Sequence, residues 1–431
     1  MKKPLSVLLC LALLPALALA NGLNLNSLGS RALAMGGAFV GLADDFSAIY
    51  WNPAGMSQFT TKTFGFYGTD IIPRGTYVLE IPTPIGTLTA VDAKSMSKHY
   101  LSGMAAYYHP VGEKIVAGIG VYVPAGLGSA WDGDDFVMAT LPFMRSYEWS
   151  SRIAMVTIAP GLSYKINDMI SVGAALNVNY GMFDLKRWAG SYLDVIDLGQ
   201  FEMSLNGWGL GATFGVLAKP SDMISIGATF RTSTNIKFKG ETSIANLALI
   251  GPPGTSDVEV EIAWPMWLAA GVAVRPIPNL TVTGDLQWSK WSVVDEIKLS
   301  YTDPLWQLFM GMGGQDALPL RWENALQIRF GAEYMVTECL AARAGFYVDP
   351  APAPDQTMNV LLPNYDFNVV TLGVGYSLDS LQLDVGIEYL MGKERDIPYL
   401  DTVLDPDYED AQPGRYGMNI FVPTISVSYK F

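Results

Sequence analysis

From Lys62 to Phe431 the chain is written as strand, turn, strand, with apolar and polar residues alternating along each segment. In residues 381–389, Leu381, Leu383, Val385, Ile387 and Tyr389 share one face, and Gln382, Asp384, Gly386 and Glu388 share the other. The last segment repeats the rule, with Phe421, Ile425, Val427, Tyr429 and Phe431 set against Thr424, Ser426, Ser428 and Lys430. A period of two specifies a sheet that is apolar on one face only. About fourteen such segments can be placed, near 62–72, 101–110, 114–127, 152–166, 169–186, 203–219, 222–239, 257–275, 279–299, 323–336, 339–349, 366–378, 381–391 and 416–431. Tight turns at 111–114, 165–168, 219–222, 276–279, 336–338 and 378–380 alternate with long connections at 128–151, 187–202, 240–256, 300–322, 350–365 and 392–415. An even strand count, with short turns at one end and long loops at the other, is the pattern of a bacterial membrane barrel. The predicted fold is therefore all-β: a 14-stranded antiparallel transmembrane β-barrel with its apolar face toward lipid.

Composition agrees with that geometry. Half of the residues are hydrophobic and only 16% are charged, against about 25% in an ordinary soluble domain. Beyond the leader no uninterrupted run of ~18 apolar residues occurs, so helical spans are not expected. An apolar chain without such a helix must satisfy its backbone polar groups in a closed sheet. The opening MKKPLSVLLCLALLPALALA has Lys2 and Lys3, an apolar stretch, and Ala18-Leu19-Ala20 before Asn21, the form of a secretory signal cleaved ahead of Asn21. Cys10 falls inside that leader, which leaves Cys339 as the single thiol and excludes an intrachain disulfide. A net charge of −14 argues against nucleic acid as a partner. The expected domains are a signal peptide at 1–20, a plug at 21–60 and the barrel at 61–431.

Residues 21–56, NGLNLNSLGSRALAMGGAFVGLADDFSAIYWNPAGM, break the strand rhythm. Ala32, Ala34, Gly36, Gly37, Ala38, Gly41 and Ala43 permit close packing, while Leu33, Met35, Phe39, Val40 and Leu42 supply apolar contacts. Asp44-Asp45 offers a cap for a helical turn at 47–51, and Asn52-Pro53 joins a good N-cap to a proline at the first helical position. Two or three short helices folded into a compact plug are expected.

Met35-Gly36-Gly37-Ala38, Ala43-Asp44-Asp45 and Asn52-Pro53-Ala54-Gly55-Met56 together resemble the N-terminal hatch of the outer-membrane long-chain fatty acid transporter family, the FadL family, which includes aromatic-hydrocarbon channels. The resemblance implies a hatch inside the barrel and passive uptake of hydrophobic small molecules, foremost long-chain fatty acids, with aromatic hydrocarbons the alternative cargo. Cargo would be captured at external loops, held against the hatch and released sideways through the wall. The resemblance also implies that Asn21, Gly22 and Leu23 shift to open the route, and that Asn52, Pro53 and Ala54 touch a break in the third strand. A matching irregularity is present at Pro124, Gly126 and Gly128. Proline cannot donate to a ladder and glycines weaken a strand, although a frayed strand end would read the same way.

Gly118 and Gly120, like Gly207, Gly209, Gly211 and Gly215, fall on inner faces and leave room for the hatch. Trp264, Trp267, Trp288, Trp291, Tyr301 and Trp306 sit at strand ends and read as an interfacial aromatic girdle. The inward charges Arg231, Asp285, Arg329, Glu333, Arg343, Asp384 and Glu388 are expected to pair across strands or brace the hatch. A carboxylate cargo would still need a cation, and an arginine fork suits that task, which makes Arg329 and Arg343 the ligand-binding candidates. Leu305, Trp306, Leu308, Phe309 and Met310 make an external loop unusually apolar. They predict a landing groove shared with Leu247–Ile250, or else a loop helix closing the barrel top.

His99 and His109 are the only histidines, and no G-x-S-x-G elbow, metal cluster or phosphate-cradling loop accompanies them. No enzyme activity, cofactor or metal is expected. Residues 401–410 read as a solvated acidic face, or as a divalent-ion bridge to lipopolysaccharide. Outer-membrane lipid and lipopolysaccharide are expected neighbours, and Tyr429 with Phe431 resembles the terminal signature read by the barrel assembly machinery. The same architecture would also serve a polar-solute porin without a plug, or a structural or receptor barrel without an internal ligand.

Overall fold

A computed structural model describes residues 22–408 and 410–431; the expected leader and Asn21 lie outside the described residues. Fourteen antiparallel strands follow one another around a ring. They are β1 (Thr63–Thr83), β2 (Tyr100–Val111), β3 (Ile115–Trp131), β4 (Trp149–Lys165), β5 (Ile170–Trp188), β6 (Gln200–Ser221) and β7 (Ile224–Arg231 with Thr234–Ile244). The second half comprises β8 (Thr255–Trp264 with Trp267–Ile277), β9 (Leu280–Ser289 with Glu296–Tyr301), β10 (Ala317–Pro319 with Ala325–Met335), β11 (Leu340–Asp349), β12 (Phe367–Leu378), β13 (Leu381–Gly392) and β14 (Gly414–Lys430). β14 closes on β1, from Thr63 opposite Lys430 to Val78 opposite Arg415. No helix among the described residues is long and apolar enough to cross a membrane.

The period of two assigns the faces. Leu383, Val385, Ile387 and Tyr389 are exposed on the outside, whereas Asp384 and Glu388 are buried within. β1 runs eleven residues beyond the expected 72, and its upper half folds back on a hairpin arm, Gly86–Lys94, that the sequence pattern did not suggest. The aromatic girdle is corrected. Trp264, Trp267, Trp291, Tyr301 and Trp306 are all buried inside the ring. The interruption of β8 at Pro265-Met266 resets the alternation, so Trp264 and Trp267 both turn inward although three residues apart.

Residues 22–60 lie within the ring as α1 (Ser30–Ala34), α2 (Ala48–Trp51) and a 3-10 segment, Pro53–Gln58. Asp45 Oδ1 accepts the Ser47 amide at 2.8 Å ahead of α2. Asn52 Oδ1 accepts the Ala54 amide at 3.1 Å, with Pro53 where no N–H is needed. Inner-face glycines admit this segment. A Cβ at Gly173, Gly215, Gly227, Gly331 or Gly345 would come within 2.3 Å of Pro53, Asn52, Val40, Met35 or Gly36, respectively. Gly207, Gly209 and Gly211 do something else: the space beside each is filled by β7, at Lys237 or Thr234.

The other end of the bore is filled from the loops. Trp291, Trp306, Trp322, Met358 and Val360 are buried in one large apolar cluster. Residues 358–365 reach down to β3, where Ser129 Oγ and Trp131 Nε1 donate to the Val360 carbonyl at 2.9 and 3.0 Å.

Candidate functional site

Between these two fillings the barrel wall is interrupted. The β2–β3 ladder runs from Val111 opposite Ile115 to Met104 opposite Tyr122, and there it stops. On its other side β3 steps in register between Tyr122 opposite Thr157 and Ala125 opposite Met155, an inserted residue that bends the strand. Tyr100–Gly103 of β2 therefore have no ladder partner on β3. The N-terminal segment replaces them from inside. Leu25 N donates to Pro124 O at 2.9 Å, Gly126 N donates to Leu23 O at 2.9 Å, and Asn24 bridges Ala125. Pro124, which has no N–H, contributes only its acceptor.

A cavity of about 460 Å³ lies at this place, lined mainly by apolar side chains such as Leu25, Leu33, Ile71, Ile153 and Leu390. It does not end at the wall. Leu101, 81% exposed on the outer face, lines it too, as do Ala154 and Val156 of β4, which point outward by the alternation of that strand. Of the charged groups that line it, Asp349 and Glu388 are buried. Arg152 and His99 are exposed at the outer mouth, held by Asp184 at 2.8 Å and Asp70 at 2.5 Å.

The candidate arginines lie elsewhere. Arg329, 1% exposed, donates to Gly36 O at 3.0 Å and Gln327 Oε1 at 2.7 Å, with its guanidinium 4.1 Å over the Tyr347 ring. Arg343 bridges Glu333 at 2.6 Å and Asp384 at 2.7 Å, and Glu333 also takes Arg31 of α1 at 2.7 Å. Neither lines the cavity. Both arginines bind protein groups in this structure. Arg231, Asp285 and Glu333 likewise meet residues 31–50: Arg231 donates to Tyr50 O, and Asp285 accepts the amides of Phe39 and Val40.

Asn52, Pro53 and Ala54 are not at the interruption of β3. Asn52 Nδ2 donates to Val40 O and to Val216 O of β6, both at 3.0 Å, and Pro53 lies against Gly173 of β5. Gly22 and Leu23 are at the interruption, Gly22 against Trp291 and lining the cavity. Pro124 bears the inserted residue, and Gly126 and Gly128 line the cavity. Asn24 and Leu25 share this role. Their signal was a scrap of alternation, Leu23-Asn24-Leu25-Asn26, too short to stand out beside the helical stretch that follows.

The external apolar loop is α3 (Pro304–Met312), capped by Asp303 Oδ1. It divides its residues by face. Trp306 and Met310 are buried, and Trp306 Nε1 donates to Pro253 O at 2.7 Å, whereas Leu305, Leu308 and Met312 are exposed and Phe309 is half-buried. In the neighbouring 3-10 turn Leu247–Ile250, Leu249 is exposed. In the acidic stretch, Asp410 pairs with Arg321. Among the described residues no group of three His, Cys, Asp or Glu side chains could hold a metal ion.

Comparison with known proteins agrees with this architecture. The chain is 24% identical to outer membrane protein P1 of Haemophilus influenzae, over 94% of each chain. It is 23% identical to the long-chain fatty acid transport protein of Salmonella typhi, over 86% of this chain and 88% of that one. Its fold is similar to that of a Pseudomonas aeruginosa FadL homologue, with a TM-score of 0.78 at 17% identity, covering 95% and 100% of the two chains. The Pseudomonas putida toluene transporter TodX gives 0.74 at 20% identity, covering 96% and 100%. The family described as outer membrane protein transport protein (OMPP1/FadL/TodX) matches residues 11–431. With that match and an apolar cavity set in a closed barrel, the chain belongs to this family and is a bacterial outer-membrane transporter of hydrophobic molecules.

Proposed function

We propose that the protein is a passive channel that takes hydrophobic small molecules from outside the cell, holds them in the 460 Å³ cavity and releases them sideways where β2 and β3 part. The observation that carries this reading is that one apolar cavity is lined both by the N-terminal segment and by the outward-facing Leu101, Ala154 and Val156. Sideways release suits the chemistry, because an apolar molecule gains by passing from one apolar environment to another without crossing water. Residues 22–60 act as the hatch. Because Leu23–Leu25 complete the ladder of β3, a shift of the mature N-terminus frees that strand and widens the gap. The exposed face of α3 is the landing surface, beside Leu249. The leader at 1–20, assembly through the terminal Tyr429 and Phe431, and lipopolysaccharide as a neighbour belong to the same proposal.

Relatives bear the names of long-chain fatty acid and of toluene transporters. The lining favours an uncharged cargo, because its buried charges are the acids Asp349 and Glu388 while Arg329 and Arg343 are committed elsewhere. An aromatic hydrocarbon fits this chemistry. A long-chain fatty acid is the second reading, supported by Arg152, which lines the cavity at its outer mouth as an exposed cation paired with Asp184. The test pairs Pro124→Val with Gly126→Val, which restores a donor and a continuous strand. Uptake of radiolabelled toluene and oleate by cells lacking other such channels should fall to the level of cells without the barrel. Undiminished uptake would refute sideways release. Displacement of one label by the other on the purified protein then ranks the two cargoes.

A further inference from the structure

The wall gap is crossed by the Tyr100 side chain, just below the point where Met96 N donates to Ala130 O at 2.8 Å. Tyr100, the first residue of β2, pairs with Ile71 of β1 on one side and has no ladder partner on β3 on the other. Its ring instead lies across the gap on Gly128. A Cβ at position 128 would meet the Tyr100 ring at 2.5 Å, so only glycine leaves the ring this seat. After the inserted residue, Gly128 stands opposite Arg152 of β4, an outward-facing exposed residue, so the phenol covers the bent half of β3 from outside. Tyr100 also borders two spaces. One is the apolar cavity; the other is a groove of about 540 Å³ lined by charged residues that include Lys98, Asp184 and Lys186.

We propose that Tyr100, seated on Gly128, is the gate of the wall opening and sets the size of cargo that leaves. This rests on release through the wall. The lower edge of the opening is fixed by the Met104–Tyr122 pair, which belongs to a continuous ladder and cannot move without breaking it. Above it the gap is bounded by the Met96 N–H donating to Ala130 O at 2.8 Å and by the Ser95–Trp131 bridge; between these edges the Tyr100 ring is held by packing, and a rotamer change swings it clear without loss of a backbone hydrogen bond. Tyrosine suits such a place because its ring presents an apolar body to the cavity and a polar tip to the charged groove.

The test measures initial uptake of radiolabelled toluene and oleate by cells carrying Tyr100→Ala, Tyr100→Trp or Gly128→Ala in the full-length protein, with barrel assembly scored by resistance to SDS. Tyr100→Ala should raise the rate severalfold, with the larger gain for oleate. Tyr100→Trp should slow both cargoes, and Gly128→Ala, which unseats the ring, should behave like Tyr100→Ala. Wild-type rates in all assembled variants would overturn the gate. Should one variant fail to assemble, the remaining two decide. The Pro124→Val, Gly126→Val closure separates this outcome from failure of the release route itself. If closure stops uptake while the Tyr100 variants match wild type, only the gate falls; if closure leaves uptake intact, the route falls with it.

Discussion

At the inner face of the wall, the Arg343 guanidinium spans two buried carboxylates, Glu333 and Asp384, and Glu333 joins it to Arg31, which in turn holds Asp44 at 2.5 Å. Removing one member of a buried ion pair strands the other in a poor medium, at a cost of about 3–5 kcal/mol. Arg343→Ala should therefore lower the unfolding free energy by that order, read as a lower urea midpoint, while leaving oleate affinity unchanged; lost affinity at normal stability would support the head-group role. Composition and strand parity make inward charges legible, but the partner of each cannot be read from the chain. Arg343 and Arg31 lie 312 positions apart, and only the closed ring brings them together. Asp45 bears a pH dependence. Burial pushes its carboxyl up to about 6, against the pull of the Arg31 charge. An acid with a raised folded-state pKa is most favourable to the fold when protonated, so stability contributed by Asp45 falls as pH rises from about 4 through 6. The partly open setting limits the effect to about 1–2 kcal/mol. Asp45→Asn should flatten the urea midpoint between pH 4 and 7 and raise it at pH 8; an unchanged pH profile would show that Asp45 is solvated.

Among the elements, α3 shows how one loop can carry two roles. Trp306 is fully buried and donates to the Pro253 carbonyl, so Trp306→Ala should cost about 3–5 kcal/mol and loosen the closed end of the bore. Leu308 is 60% exposed and lies on the opposite face. Leu308→Ser with Leu305→Ser should leave the urea midpoint in place and reduce uptake of dilute toluene more than of concentrated toluene; equal loss at both concentrations would place these leucines outside capture. The sequence shows the apolar loop and offers landing groove and closing helix as alternatives, and the helix faces assign the buried residues to closure. Other elements were less legible for identifiable reasons. In the sequence Pro73 marks a strand limit, so the pattern places the end of β1 near 72. Pro73 is tolerated because β2 pairs only as far as Ile71 opposite Tyr100, so no ladder bond is lost on that side. The inward tryptophans of β8 were misplaced because a break changes parity, and a period of two carries no warning of where it restarts.

For the molecule as a whole, the closed barrel and its loop asymmetry were open to reading because fourteen amphipathic segments repeat one rule. Placement of the filling was less so. Residues 22–60 fill one end of the bore, and the loop segments around α3 and 358–365 fill the other, with the cavity between them. The two fillings meet on the same half-strand. The part of β3 beyond Tyr122 is held by Leu23 and Leu25 through Pro124 and Gly126, and by Val360 through Ser129 and Trp131. If each filling seals its own end, as proposed, the bore does not open when one is removed. Deletion of 22–56 alone, or of 355–365 alone, should leave a planar bilayer without steady conductance, while the double deletion should give an ohmic pore. The polar inner faces of strands such as β13 and β14 would then be wetted, as in open barrels of this size. Steady conductance from the intact chain would favour a polar-solute porin instead, and conductance from the first deletion alone would mean that the loops do not seal their end. The double stopper also bears on direction. Under the proposed sideways release, the gap between β2 and β3 is the route from the cavity, and its position in the wall would favour cargo soluble in the membrane.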